Sequence, residues 1–114
     1  MLQAAPPTTD AGTLARFFRV LGDPTRIRLV AALESGERTV TELVEAVDGV
    51  QARVSTHLAC LRHCGFVTTE RRGRQIVYRL SLSGLDGLVE QARVISEPAA
   101  ERLATCTRVG PGWV

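Results

Sequence analysis

Apolar residues recur every three to four positions along most of the chain and switch to alternate positions in one short window. Asp10 is placed to cap a first helix over about residues 11–21, with Leu14, Phe17, Phe18 and Leu21 on one stripe and Gly22 as its stop. Asp23-Pro24 supplies a cap and a first-turn proline for a second helix, which carries Ile27, Val30 and Ala31 and ends near Ser35-Gly36. Thr39 and Glu42 have capping-box spacing, with Thr41 as the alternative cap, ahead of a short third helix bearing Leu43, Val44 and Val47. Asp48-Gly49 is a turn signal. A fourth helix then runs from about Gln51 to Cys64, with Val54, Leu58 and Leu61 on its core face and Gly65 at its end.

The period changes at Phe66. Residues 66–71 and 74–81 read as two strands around Arg72-Gly73, the second with Ile76, Tyr78 and Leu80 on its apolar face. A fifth helix over about 83–95 carries Leu85, Leu88, Val89 and Ala92 on one stripe; Pro98 breaks it and can start a short terminal helix through Leu103. Helix, short helix, tight turn, helix and hairpin is the order of a winged helix-turn-helix, mainly α with a small β-hairpin wing and about five to six helices. The domain is expected over 11–104, between a Pro/Thr-rich lead-in at 1–10 and a tail at 105–114 that carries Cys106. The apolar stripes of the first and fifth helices exceed what so small a core can cover, so a homodimer pairing them across a two-fold axis is expected.

Charge sharpens this picture. The net charge is only +2, but residues 51–80 hold six arginines and one acid, a local +5, whereas the rest holds eight arginines and eleven acids, a local −3. A basic window on a near-neutral chain is the footprint of a localised polyanion contact. No stretch approaches the roughly 20 apolar residues of a membrane span. No basic-then-apolar leader is read at the N-terminus, so a cytoplasmic location and no membrane partner are expected. An enzyme is not expected: there is no phosphate-binding glycine loop, no paired catalytic acids and no nucleophile–base arrangement.

In a winged helix the helix after the tight turn enters the major groove with its N-terminal residues. Here these are Gln51, Ala52, Arg53, Ser55 and Thr56, beside His57. Gln and Arg can pair with base edges, while Ser and Thr reach phosphates. The hairpin tip presents Arg71, Arg72 and Arg74 to the backbone or minor groove of double-stranded DNA. A wing that binds protein instead of DNA does not account for this basic tip.

Three ordered motifs carry a family resemblance: Asp23-Pro24-Thr25-Arg26, then Ser55-x-His57-Leu58-x-x-Leu61-x-x-x-Gly65-Phe66-Val67, then Gly73-Arg74-x-Ile76-x-Tyr78-x-Leu80. Over about residues 12–95 the chain resembles the ArsR/SmtB family of metal-responsive repressors. The resemblance implies a dimer through the first and fifth helices, bound to a palindromic operator when metal-free. One departure stands out. Val50 occupies the place before the recognition helix where the family has Ser or Thr, and Asp48, three residues before Gln51, is a candidate cap in its stead.

The family's effector sites differ in position. The third helix, Thr41-Glu42-Leu43-Val44-Glu45, has no thiol, and residues 83–95 offer Asp86 and Glu90 but no histidine. What remains is Cys60 and Cys64, four apart on the fourth helix, with Cys106 in the tail. Side chains at i and i+4 have β-carbons about 5–6 Å apart, a gap that two metal–sulfur bonds can close. A third sulfur would complete a thiolate site suited to a soft ion. The arrangement is similar to the CmtR-type, cadmium- and lead-sensing branch of the family, in which the tail cysteine comes from the other protomer. The expected effector is therefore cadmium or lead, with mercury and arsenite as further candidates. Arg53, His57, Cys60 and Cys64 fall on one stripe of the helix, a direct route from thiols to bases. His57 is either a further ligand or a residue of structure and DNA contact. The competing reading keeps the repressor and makes the cysteines a redox or persulfide switch.

Overall fold

The computed structural model describes residues 9–109. Much of the expected lead-in (1–8) and the end of the tail (110–114) lie outside the described residues. The chain falls into two compact units that divide after residue 83.

The first unit runs α1 (Ala11–Val20), α2 (Pro24–Leu33), β1 (Arg38–Thr39), α3 (Val40–Val47), α4 (Gln51–His63), β2 (Val67–Arg72) and β3 (Gln75–Leu80). Local chemistry sets most of its boundaries. The Asp10 carboxylate accepts from the Thr13 amide at 2.7 Å, and that bond holds its pKa below the usual carboxylate range. Asp23 accepts from the Thr25 and Arg26 amides, ahead of a first-turn proline. Thr39 and Glu42 close a reciprocal capping box, and that box depresses the Glu42 carboxyl in turn. Thr41 has no part in the cap.

Leu29, Val30 and Leu33 of α2, Leu43 and Val47 of α3, and Val54, Leu58 and Leu61 of α4 converge with Phe66 and Val67 in one buried core. Each such side chain contributes about 1.5–3 kcal/mol by leaving water. The turn between α3 and α4 is tight. Asp48 closes α3 in the left-handed region (φ 52°), and a Cβ at Gly49 would meet Val54 Cγ2 at 2.9 Å. The expected Asp48 cap is therefore absent. Asp48 is committed to ending α3, and Val50, which has no side-chain acceptor, stands at the N-cap of α4.

The sheet has the antiparallel order β1-β3-β2. Arg72 pairs with Gln75, so the hairpin turn is Gly73-Arg74, one residue beyond the expected Arg72-Gly73. Gly73, at φ 63°, takes the first turn position, which a side chain disfavours. The buried face also differs from expectation: Val77 is 7% exposed and Ile76 43%. Successive side chains of β3 point to opposite faces, and the Val77 face is the buried one, while Ile76 lies toward the tip with β2 alone beside it. Phe66 donates to the Leu61 carbonyl at 2.8 Å, and Ser81 Oγ donates to the Gly65 carbonyl at 2.6 Å, stitching the wing's base to the end of α4.

Leu21, the C-cap of α1, is buried, and Phe17 of α1 is half-buried, its ring stacked on Phe66 at 5.0 Å. Leu14 and Phe18, on the same stripe, are 47% and 51% exposed.

The second unit contains α5 (Leu85–Ser96), a 3-10 turn at Glu97–Ala99, α6 (Ala100–Thr105) and a 3-10 turn at Thr107–Val109. Leu85 and Val89 are buried and Leu88 is half-buried, while Ala92, Val94, Ile95 and Leu103 are exposed. No helix among the described residues is long and apolar enough to cross a membrane.

Candidate nucleic-acid interface and thiol site

The start of α4 is an open surface. Gln51, Ala52, Arg53, Ser55 and Thr56 are all exposed. Val50, Ala52, Arg53, Thr56 and His57 line a shallow depression of about 420 Å³. Arg53 has no carboxylate partner among the described residues, so its guanidinium is available to a base edge. Thr56 is less available: its hydroxyl donates to the Ala52 carbonyl at 3.0 Å, which uses its single proton inside the helix. His57 is half-buried and turned to the protein, with Arg26 Nε donating to its Nδ1 at 3.1 Å. A guanidinium can only donate, so Nδ1 is the acceptor and the neutral ring's proton sits on Nε2, which faces Asp23 Oδ1 at 3.8 Å.

The three wing arginines are not equivalent. Arg72 is held between two acids, reaching Glu37 at 2.8 Å and Glu70 at 3.2 Å. These partners raise the Arg72 pKa, chiefly through the Glu70 hydrogen bond, and Arg72 lowers that of Glu70. Arg79 adds a second contact to Glu70 at 3.5 Å. Arg71 and Arg74 have no carboxylate partner among the described residues, and both are exposed. The wing thus offers two unneutralised cations and one that braces it.

The thiols occupy the other end of α4. Cys60 is half-buried in its last turns, and Cys64 forms the C-cap, exposed, with its amide donating to the Cys60 carbonyl at 3.0 Å. Desolvation pushes the Cys64 thiol pKa up, the neighbouring Cys60 thiol pushes it further, and the Arg26 charge acts in the opposite direction. The Cys64 thiol therefore feels both its Cys60 neighbour and the Arg26 charge. Cys106 follows α6 in the second unit, exposed. Among the described residues no three His, Cys, Asp or Glu side chains gather into a metal-sized cluster. Two adjacent soft donors with an open side fit two of a thiophilic ion's ligands.

Comparison with known proteins bears on the family and the fold. The family model described as bacterial regulatory protein, arsR family, matches residues 23–69, from the cap of α2 into β2. The chain is 43% identical over 109 residues to a probable mercury resistance operon repressor of Streptomyces lividans, spanning 96% of this chain and 86% of that protein. The chain belongs to the arsR family of bacterial regulatory proteins. It is also 43% identical over 72 residues to the transcriptional regulator CmtR of Mycobacterium tuberculosis, spanning 63% of this chain and 61% of that protein. The crystal structure of the transcriptional repressor BigR from Xylella fastidiosa matches with a TM-score of 0.70 at 35% identity, over 75% of this chain and 87% of that one. This arsR-family chain is a winged-helix transcriptional regulator and not an enzyme.

Sequence reasoning named the thiols and the exposed arginines but gave no role to Arg26, Glu37 or Glu70. The signal for Arg26 was present only as a motif residue, because its partner lies 31 positions away.

Proposed function

We propose that this arsR-family chain is a cytoplasmic, metal-responsive repressor that binds a palindromic operator as a metal-free homodimer. It releases DNA when a thiophilic ion is captured by Cys60 and Cys64, with Cys106 of the other protomer as third ligand. Gln51, Arg53 and Ser55 read the major groove from the start of α4, with Thr56 and His57 beside them, while Arg71 and Arg74 grip phosphates and Arg72 braces the wing. One observation carries the reading: the adjoining thiols stand on the same helix whose first turns form the exposed, partly basic surface. Any shift of the thiol end is a shift of the reading end, because α4 is one continuous helix of 13 residues. The exposed Leu14 and Phe18 of α1, with Ala92, Val94 and Ile95 of α5, supply apolar surface for a two-fold interface.

Soft sulfur ligands favour cadmium, lead, mercury or arsenite over magnesium and calcium. A relative that spans 96% of this chain is named for mercury resistance, which adds weight to mercury. The test is anisotropy of a labelled operator duplex titrated with each ion under reducing conditions. Release near one ion per site is expected for at least one of the four, with sulfur-to-metal charge-transfer absorption. Release by an oxidant or persulfide donor, with none of the ions effective, would establish the redox reading instead.

A further inference from the structure

The Asp23-Pro24-Thr25-Arg26 turn has no part in base contact or ion capture as proposed, yet its last side chain reaches α4. The helix is seated on the core through Val54, Leu58 and Leu61. These contacts fix which face of the helix meets the core but, being non-directional, tolerate small changes in rotation about its axis. The N-terminus has no side-chain cap to add direction. Among the described residues, the hydrogen bond from Arg26 Nε to His57 Nδ1 is the only side-chain hydrogen bond tying α4 to another helix. Arg26 is itself fixed. It lies in the first turn of α2, its amide is held by the Asp23 cap, and its Nη1 donates to the Val20 carbonyl at 3.3 Å. The bracket therefore spans the end of α1, the start of α2 and the middle of α4. His57, Cys60 and Cys64 follow at i, i+3 and i+7, one face of the helix.

We propose that Arg26 is a positioning residue: through His57 it sets the rotation of α4 that reads the operator, and movement of the thiol face breaks this bracket on ion capture. The second half rests on the metal-responsive reading; the first half does not. A guanidinium can donate to His57 and the Val20 carbonyl together from separate nitrogens, whereas a lysine ammonium reaches as a single point. A variant without the bracket should resemble the ion-loaded protein while keeping its thiols and its wing.

The experiment uses duplexes selected from a random library by the wild-type protein, a scrambled duplex as the non-specific probe, and the full-length variants Arg26→Gln, Arg26→Lys, His57→Ala and Arg26→Gln/His57→Ala. Arg26→Gln and His57→Ala should each weaken selected-duplex binding about tenfold, the scale of one charge-assisted hydrogen bond. The double variant should lose no more than either single one, and Arg26→Lys should recover part of the loss. For Arg26→Gln, scrambled-duplex affinity should change little, since Arg71 and Arg74 remain. Additive losses, or parallel losses on both duplexes, would overturn the positioning role. For the switch, Arg26→Gln should bind cadmium or mercury with unchanged charge-transfer absorption yet show less than twofold further release. A release equal to that of wild type overturns the switch half alone. A wild-type protein that releases DNA with no ion overturns the switch half and the metal-responsive reading together, while the duplex comparison still decides the positioning role.

Discussion

Helix α4 and the wing both present arginine to the solvent, but they hold it in opposite ways. On α4, Arg53 extends from a helix that is uncapped at its start, bracketed in its middle by Arg26 and ended by thiols. On the wing, Arg72 is locked to Glu37 and Glu70, and its neighbours Arg71 and Arg74 are left unneutralised on a hairpin stitched to the core. The difference separates two tasks that a count of basic residues merges. A helix with little directional anchoring can change its rotation and therefore carry discrimination and its control. A braced hairpin with unpaired cations supplies affinity that does not depend on base sequence.

The largest effect should fall at the thiol end of α4. Cys60→Ser and Cys64→Ser should each abolish ion-driven release while leaving metal-free operator binding intact, because serine keeps the size but is a poor ligand for a soft ion. Substitutions in the wing should leave the release amplitude unchanged. Release measured by anisotropy in the presence of cadmium or mercury checks this. A Cys64→Ser protein that still releases would move the signal away from α4.

Next in size is the reading end. Arg53→Ala should cost about 1–3 kcal/mol of discrimination between the selected duplex and its single-base variants, the worth of one bidentate base contact. Affinity for scrambled DNA should fall much less. An equal loss on every duplex would assign Arg53 to phosphate and erase its difference from the wing.

The wing can then be divided within itself. Arg71→Ala and Arg74→Ala should each reduce the slope of log affinity against log salt by about 0.9, the yield of one phosphate contact. Arg72→Ala should change that slope less, since its charge is already matched by Glu37 and Glu70. It would instead leave Glu37 unmatched and Glu70 with Arg79 alone near the DNA backbone, so a loss of affinity at every salt concentration is expected. Equal slope changes for all three would show that Arg72 leaves its acids to meet phosphate.

The same division runs through what the sequence discloses. Helix starts were legible because each depends on residues within one turn: Asp10 with Thr13, Asp23 with Arg26, Thr39 with Glu42. The DNA-reading helix and the i, i+4 thiols were legible for the same reason. The hairpin turn was misplaced by one residue, because Arg72-Gly73 and Gly73-Arg74 both put glycine in a two-residue loop and only the pairing of Arg72 with Gln75 separates them. Val77 was missed as the buried position because alternation favours the face of Ile76, Tyr78 and Leu80, and only the helices packed on β3, distant in sequence, choose the other. The ties that sort the arginines by role, Arg26 to His57 and Arg72 to Glu37, join residues 31 and 35 positions apart. No local pattern encodes them.

The smallest effect tests the uncapped start of α4. Val50 is 66% exposed, and as N-cap it leaves the first amides of the helix without a side-chain acceptor. Val50→Thr keeps the branched shape and adds a hydroxyl that can accept from the amide two or three residues on. It should raise unfolding free energy by about 1 kcal/mol, the usual worth of a good N-cap. The urea midpoint should rise with an unchanged denaturant slope, and the salt dependence of scrambled-duplex binding, set by the wing, should stay where it was. If stability rises and discrimination between duplexes falls, the loose helix start belongs to the reading mechanism. If stability rises and discrimination holds, Arg26 alone supplies the direction that α4 needs. An unchanged midpoint would mean that α4 does not begin at Gln51, and the assignment of Arg53 to the first turn would fail with it.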